Sequence, residues 1–389
     1  MSRLDTVCNS VAKARELYRP MSPEIVLTSS FRFGSFDEYA KSCNDEFDSY
    51  VYTRGTNPTT SLLEGKIAEL EGGERCKVFA SGMGAISATL LTFLRQGDDV
   101  LFVNTIYSAT SSLLKYMERY GVTWSSISSC KTDVIASAIK ASTKIIYIES
   151  PSSQKFELVD IEKIAKIARV RHIMTVIDNT WATPLFQKPL NHAVDISIQS
   201  CSKYIGGHSD IVCGAVISSK KLIRQIEEFG FLLLGSTASP LTSYLALRSL
   251  RTLPCRMRTL ECSVKVVIKF LENDPRIKKI HHPLCGDAWQ RKLAVKYLDG
   301  YGSLLAIDFA NPDLDRFEQF INSLQLISVG VSWGGFESLV LPAYRKTNSE
   351  TVLKRGLDLT HVRLYVGLED PSDIVSDLSY ALDQAYGSL

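Results

Sequence analysis

The sequence has no apolar run approaching the ~18 residues that a membrane-spanning helix requires. Its first residues, MSRLDTVCNS, lack the apolar core of a secretory signal. An excess of one charge is also missing: 44 Lys and Arg against 42 Asp and Glu leave a net +2 over 389 residues. So small an excess gives no electrostatic footprint for nucleic acid or for a membrane surface. Nine cysteines are scattered along the chain, odd in number and without any Cys-x-x-Cys. That pattern argues against a disulfide framework and against a zinc site. Neither a nucleic-acid nor a membrane partner is expected, and a cytoplasmic protein is. What remains is ordinary globular composition, long enough for two or three domains with ample core.

Residues 1–50 hold Pro20, Pro23, Gly34 and polar clusters around one short apolar piece, Ile25-Val26-Leu27. They read as an irregular arm that cannot bury itself and so lies on another domain or another subunit. An amphipathic helix over 61–70 ends at Gly72-Gly73. From 77 to 220 the patterns alternate. Strands are predicted at 77–80, 100–104, 144–149, 173–178, 195–199 and 213–218, and helices near 82–96, 108–119, 132–140 and 160–170. Such alternation implies a mostly parallel sheet covered by helices, with ligands at the carboxyl ends of its strands. A long helix is expected over 241–272. Beyond it a smaller α/β unit has strands at 304–309 and 361–366 and a closing helix over 371–387. The division is an arm over 1–55, a ligand-binding unit over 56–240 and a C-terminal unit over 241–389.

Several residues at these strand ends carry chemistry. Lys203 follows the strand 195–199 and is flanked by Ser200 and Ser202. Burial there favours the free amine that an aldehyde requires; alone, it reads as readily as a loop lysine. Ser81-Gly82-Met83-Gly84 follows a strand and opens a helix, which makes an anion cup or a plain helix start. It is neither a phosphate loop with a Walker lysine nor a full Gly-x-Gly-x-x-Gly. Tyr107 lies beyond 100–104, where a ring can stack on a flat ligand or cap a helix. Asp178 closes an apolar strand and needs a cation: a protonated pyridine nitrogen, an arginine or, less well, a metal. Tyr52 and Arg54 precede the first helix, and Arg54 suits phosphate. Ser332-Trp333-Gly-Gly is a glycine turn beside an aromatic, and Arg363, inside the strand 361–366, suits a carboxylate or a structural ion pair. Cys201, two residues before Lys203, is a redox-sensitive thiol or a small packed side chain. An anion cup, a stacking ring, a carboxylate and a lysine along one sheet suit pyridoxal phosphate.

With these motifs the sequence resembles the Cys/Met-metabolism family of pyridoxal-phosphate enzymes across essentially its whole length. The matching segments are Tyr52-x-Arg54, Ser81-Gly-Met83, Asn104-x-x-Tyr107, Asp178-Asn-Thr-Trp-Ala182 and the Lys203 segment, where Ser202 replaces the usual Thr. The resemblance implies the aspartate-aminotransferase-like fold, fold type I: a large, mostly parallel seven-stranded sheet domain plus a smaller C-terminal α/β domain. It implies that Lys203 holds the cofactor and moves protons, while Asp178 meets the pyridine nitrogen and Tyr107 the ring. Gly82, Met83, Ser200 and Ser202 would hold the phosphate, and Tyr52 and Arg54 would reach the phosphate of a neighbouring subunit. Arg363 and Ser332 would grip the substrate carboxylate. Tyr107 and Tyr52 are further candidates for catalysis, and Trp333 for the substrate wall. A homotetramer with active sites shared between subunits is implied.

Ser332-Trp-Gly-Gly-Phe-Glu-Ser338 is similar to the cystathionine β-lyase branch. The expected reaction is then β-elimination of L-cystathionine to homocysteine, pyruvate and ammonia, with L-cysteine or L-cystine as further substrates. Gly55-Thr-Asn-Pro-Thr59 is instead common in the γ branch. The alternatives are a γ-lyase or γ-synthase, methionine γ-lyase chemistry, or cysteine desulfhydrase or alanine racemase activity.

Overall fold

A computed structural model describes residues 3–10 and 20–388; residues 1–2 and 11–19 of the expected arm lie outside them. Seven strands form the first sheet: β1 (Arg75–Phe79), β2 (Asp99–Val103), β3 (Thr123–Ile127), β4 (Thr143–Glu149), β5 (Met174–Asp178), β6 (Ile196–Gln199) and β7 (Gly214–Ser218). Their spatial order is β1-β7-β6-β5-β4-β2-β3. Every pairing is parallel except those of β7, which runs against both β1 and β6. The mostly parallel sheet is therefore present. Because β7 is flanked on both sides antiparallel, β1 points the same way as β6, and its carboxyl end joins theirs. The strands are apolar on both faces, as β2 shows with all five residues buried, since helices cover both sides.

The helices follow from local chemistry. The first, α1 (Arg3–Asn9), and the second, α2 (Phe36–Asn44), lie within the arm. The third, α3 (Pro58–Glu71), starts where the Asn57 side chain accepts the Thr59 N–H, with Pro58 in the first turn. Helix α4 (Gly82–Phe93) is capped by the Ser81 hydroxyl, which accepts the Gly84 N–H at 2.9 Å. Helix α5 (Ser108–Met117) begins at Tyr107 without any side-chain cap.

The second sheet holds β8 (Ile277–His281), β9 (Leu304–Phe309), β10 (Ser328–Val329), β11 (Leu339–Pro342) and β12 (Val362–Tyr365), in the order β10-β11-β12-β9-β8. Helices Leu314–Ser323 and Pro371–Tyr386 cover it. At its edge the buried Asp308 carboxylate accepts from His281 Nε2 and His361 Nδ1, each at 2.6 Å.

Two expectations need correcting. The single helix over 241–272 is two, Pro240–Leu250 and Leu253–Glu272. Pro254 has no N–H to continue a ladder, so it sits in the first turn of a new helix. The arm is not irregular throughout, since it holds α1 and α2, and α1 lies on the rest of this chain. Val7 and Cys8 of α1 are buried, and Asp5 pairs with Arg258 at 3.0 Å. The root of the arm is tied down by Lys77, whose buried Nζ donates to the Gly55 carbonyl at 2.8 Å and pairs with Glu64 at 3.2 Å.

Candidate active site

One cavity of about 450 Å³ opens at the carboxyl ends of β1, β2, β4, β5 and β6. Into it the structure brings Gly82, Met83, Tyr107, Asp178, Ser200, Ser202, Lys203, Ser332, Trp333 and Arg363. The second sheet contributes Arg363 from β12 and the loop that precedes β11. Tyr52 and Arg54 are not brought together with these residues. They stand outside this chain's cavity, with the Arg54 guanidinium 5.9 Å from the Tyr52 ring and Tyr52 nearly half exposed.

Lys203 is half-buried on the cavity floor. Its Nζ donates to Ser332 Oγ at 2.7 Å and lies 5.5 Å from the centre of the Trp333 ring. Burial and then the nearby Arg363 charge lower its amine to about 8, against the pull of Asp178. Asp178 ends β5, and its Oδ1 accepts the Thr180 N–H at 3.0 Å together with the Thr180 hydroxyl. Its other oxygen has no hydrogen-bond partner among the described residues and belongs to the cavity wall. Burial raises the Asp178 carboxyl above its usual range, opposed by the Thr180 bonds and the Lys203 charge. Arg363 donates to the Val331 carbonyl at 3.0 Å and to the Ser332 carbonyl at 3.4 Å. Burial depresses its guanidinium to about 10. A half-buried cation whose hydrogen bonds among the described residues all go to carbonyls leaves its charge to attract an anion in the cavity.

The cup at α4 is tight. A Cβ on Gly82 would lie 3.0 Å from Ser200 Cβ and Oγ, so the two loops meet closely and a larger residue would push Ser200 aside. The first N–H groups of this helix have no intrahelical acceptor and face an anion favourably. Ser200 is set by its own N–H, which donates to Thr180 Oγ1 at 2.8 Å. The Ser202 hydroxyl accepts the Cys213 N–H at 2.9 Å and donates to the Cys213 carbonyl at 3.2 Å. It must turn to donate to a phosphate. Gly334, left-handed at φ 86°, presses on the lysine's backbone: a Cβ there would lie 2.9 Å from Lys203 Cα and 2.8 Å from Tyr204 N. The cup, the free Asp178 oxygen, the amine and the Tyr107 ring fit the anion, base, aldehyde and flat ring of pyridoxal phosphate.

Sequence reasoning missed Glu149 and Thr180. Thr180 follows Asp178 by two residues, the spacing of an Asx turn, and that signal was available. Cys201 resolves toward packing. It is fully buried, and its thiol is held well above the usual range by a bond to Cys213 and by burial.

Residues 6–383 match the family described as Cys/Met metabolism PLP-dependent enzyme. The chain is 36% identical over 367 residues to an L-methionine γ-lyase of Pseudomonas putida, which covers 92% of each protein. It is 33% identical to an L-alanine/L-glutamate racemase of Wolbachia pipientis wMel, over 93% of this chain and 92% of that one. Among solved structures, cystathionine γ-synthase from Xanthomonas oryzae pv. oryzae in complex with aminoacrylate and cysteine superposes with a TM-score of 0.92, at 28% identity and over 100% of both chains. No helix among the described residues is long and apolar enough to cross a membrane. The chain belongs to the Cys/Met metabolism PLP-dependent enzymes, has their fold type I architecture, and takes pyridoxal phosphate as its cofactor.

Proposed function

We propose that the protein is a carbon–sulfur lyase that eliminates the γ-substituent of a sulfur amino acid, of the L-methionine or L-cystathionine class. The observation that carries the lyase reading is the Lys203 amine, held by Ser332 between Asp178 and Arg363 in one cavity. Elimination at Cγ is supported by the γ-lyase similarity over 92% of the chain. It replaces the β-elimination expected from the Trp333 segment.

Pyridoxal phosphate, when bound, supplies the electron sink that lets a proton leave a carbon next to the amino group. The chain's residues do the rest. Arg363 and Ser332 bind the α-carboxylate and so orient Cα toward Lys203. The Lys203 amine, half free at about pH 8, takes the proton from Cα and then, so that the γ-substituent can leave, one from Cβ, and it returns protons during turnover. Tyr107 and Lys203 are the candidates for protonating the departing thiolate. Asp178 fixes a positive charge at the pyridine nitrogen, while Gly82, Met83, Ser200 and Ser202 hold the phosphate. Tyr52 and Arg54 serve the phosphate of a neighbouring subunit in a homotetramer. The 56–240 unit carries the cofactor, and the 241–389 unit closes the site.

The test is the product. L-cystathionine should give 2-oxobutyrate with cysteine, and L-methionine should give 2-oxobutyrate with methanethiol. Pyruvate with homocysteine would transfer the protein to the β reading. One observation favours that reading: the bulky Trp333 ring, packed edge-on against Tyr204 at 5.3 Å, narrows the wall beside Lys203.

A further inference from the structure

Glu149 and Asp178 end neighbouring parallel strands and stand opposite each other in register. Both line the cavity. Asp178 is committed on one oxygen to Thr180. Glu149 is committed on both: Oε1 accepts the Tyr107 N–H at 2.6 Å, and Oε2 accepts the Ser153 hydroxyl at 2.5 Å. Ser153 in turn donates its N–H to the Thr105 carbonyl at 3.1 Å, two residues before Tyr107. One carboxyl therefore ties the end of β4 to both sides of the loop that presents Tyr107.

That tie matters because little else fixes Tyr107. It starts α5 without a side-chain cap, and half of it is exposed. Its ring position depends on where its backbone enters the helix.

We propose that Glu149 is a positioning residue of this site: by holding the Tyr107 N–H it fixes the start of α5 and keeps the Tyr107 ring over the cavity. It does so by accepting from both sides of the loop, the Tyr107 N–H on one oxygen and the Ser153 hydroxyl on the other. The titratable groups around it are Asp178, Tyr147 two residues back on its strand, Tyr107, and Lys203 and Arg363 across the cavity. Lys203 bears on Asp178, whereas no cation acts strongly on Glu149. Burial, then Asp178, pushes the Glu149 carboxyl up to about 8.

The proposal rests on the reading of this cavity as the pyridoxal phosphate site, and the test separates the two. Amide hydrogen exchange of the peptide containing Tyr107 is measured without cofactor in wild type, Glu149→Gln and Glu149→Ala, followed by titration with pyridoxal phosphate. Glu149→Gln keeps an acceptor for Tyr107 and a partner for Ser153, so exchange and affinity should match wild type. Glu149→Ala should speed Tyr107 exchange by at least about tenfold and weaken cofactor binding. Unchanged exchange in Glu149→Ala overturns the proposal, and so does a Glu149→Gln protein as loose as Glu149→Ala. If Glu149→Ala does not fold, Glu149→Leu, which fills the same space without an acceptor, takes its place with the same expected and overturning results. Wild type that fails to bind pyridoxal phosphate would overturn the site reading and leave the exchange result standing.

Discussion

Lys203 is where protonation and function meet most directly. Its amine is lowered to about 8, so the free-base fraction rises as pH rises through that value, well below the ~10.4 of an exposed lysine. Cofactor-free protein should therefore combine with pyridoxal phosphate at a rate that climbs around pH 8, followed by absorbance in a stopped-flow instrument. A midpoint near that of free lysine would refute the assignment. Lys203→Ala should lose at least about 10³-fold in turnover. Asp178→Asn keeps an oxygen for the Thr180 N–H but removes the charge at the pyridine nitrogen. Turnover should fall by about 10²-fold or more while the cofactor stays bound. Equal loss of cofactor and turnover would point to a structural role instead.

At the scale of elements, the ends of β5 and β6 rest on a buried polar cluster. Glu71, the last residue of α3, is fully buried and accepts from Asn179 Nδ2 at 2.9 Å, from the Ser197 hydroxyl and from Gln199 Nε2 at 3.3 Å. Burial lifts its carboxyl to about 7, above the ~4.3 of an unfolded chain. A raised folded value means that the stabilising contribution is complete below the unfolded value and is lost as pH rises through the folded one. Stability should thus decline between about pH 4.5 and 7 by on the order of 3 kcal/mol from this group. Glu71→Gln should flatten that decline in thermal melts, and an unchanged slope would contradict it. Asn179 Oδ1, buried without a partner among the described residues, is available to the new amide.

The same scale shows what was legible. Strands β2, β4 and β5 are apolar runs, and the carboxylate closing β5 announced Asp178, whereas Lys203 was announced by its place past β6 between Ser200 and Ser202. Strand β3 was missed because Thr123-Trp-Ser-Ser-Ile127 lies at the sheet edge and is largely uncovered, so no apolar pattern is required of it. Strands β8, β10 and β11 were missed too; β10 has only two residues. Glu149 could not be read as a tether, because its partner Tyr107 is 42 residues away and bonds through backbone.

For the whole molecule, Tyr52 and Arg54 turn away from their own cavity while Lys77 pins the root of their loop from inside. If they complete a neighbour's site, Lys203→Ala and Arg54→Ala should rescue each other. Random pairing of the two inactive chains restores one intact site in each mixed dimer, or about a quarter of wild-type activity. No recovery on co-expression would mean that each chain works alone. Gly334 sets a different constraint. With its Cα seated on the backbone of Lys203, the loop bearing Ser332 and Trp333 is keyed to the lysine like a latch. Swinging the second sheet away would therefore drag the backbone of Lys203 along with Ser332 and Trp333.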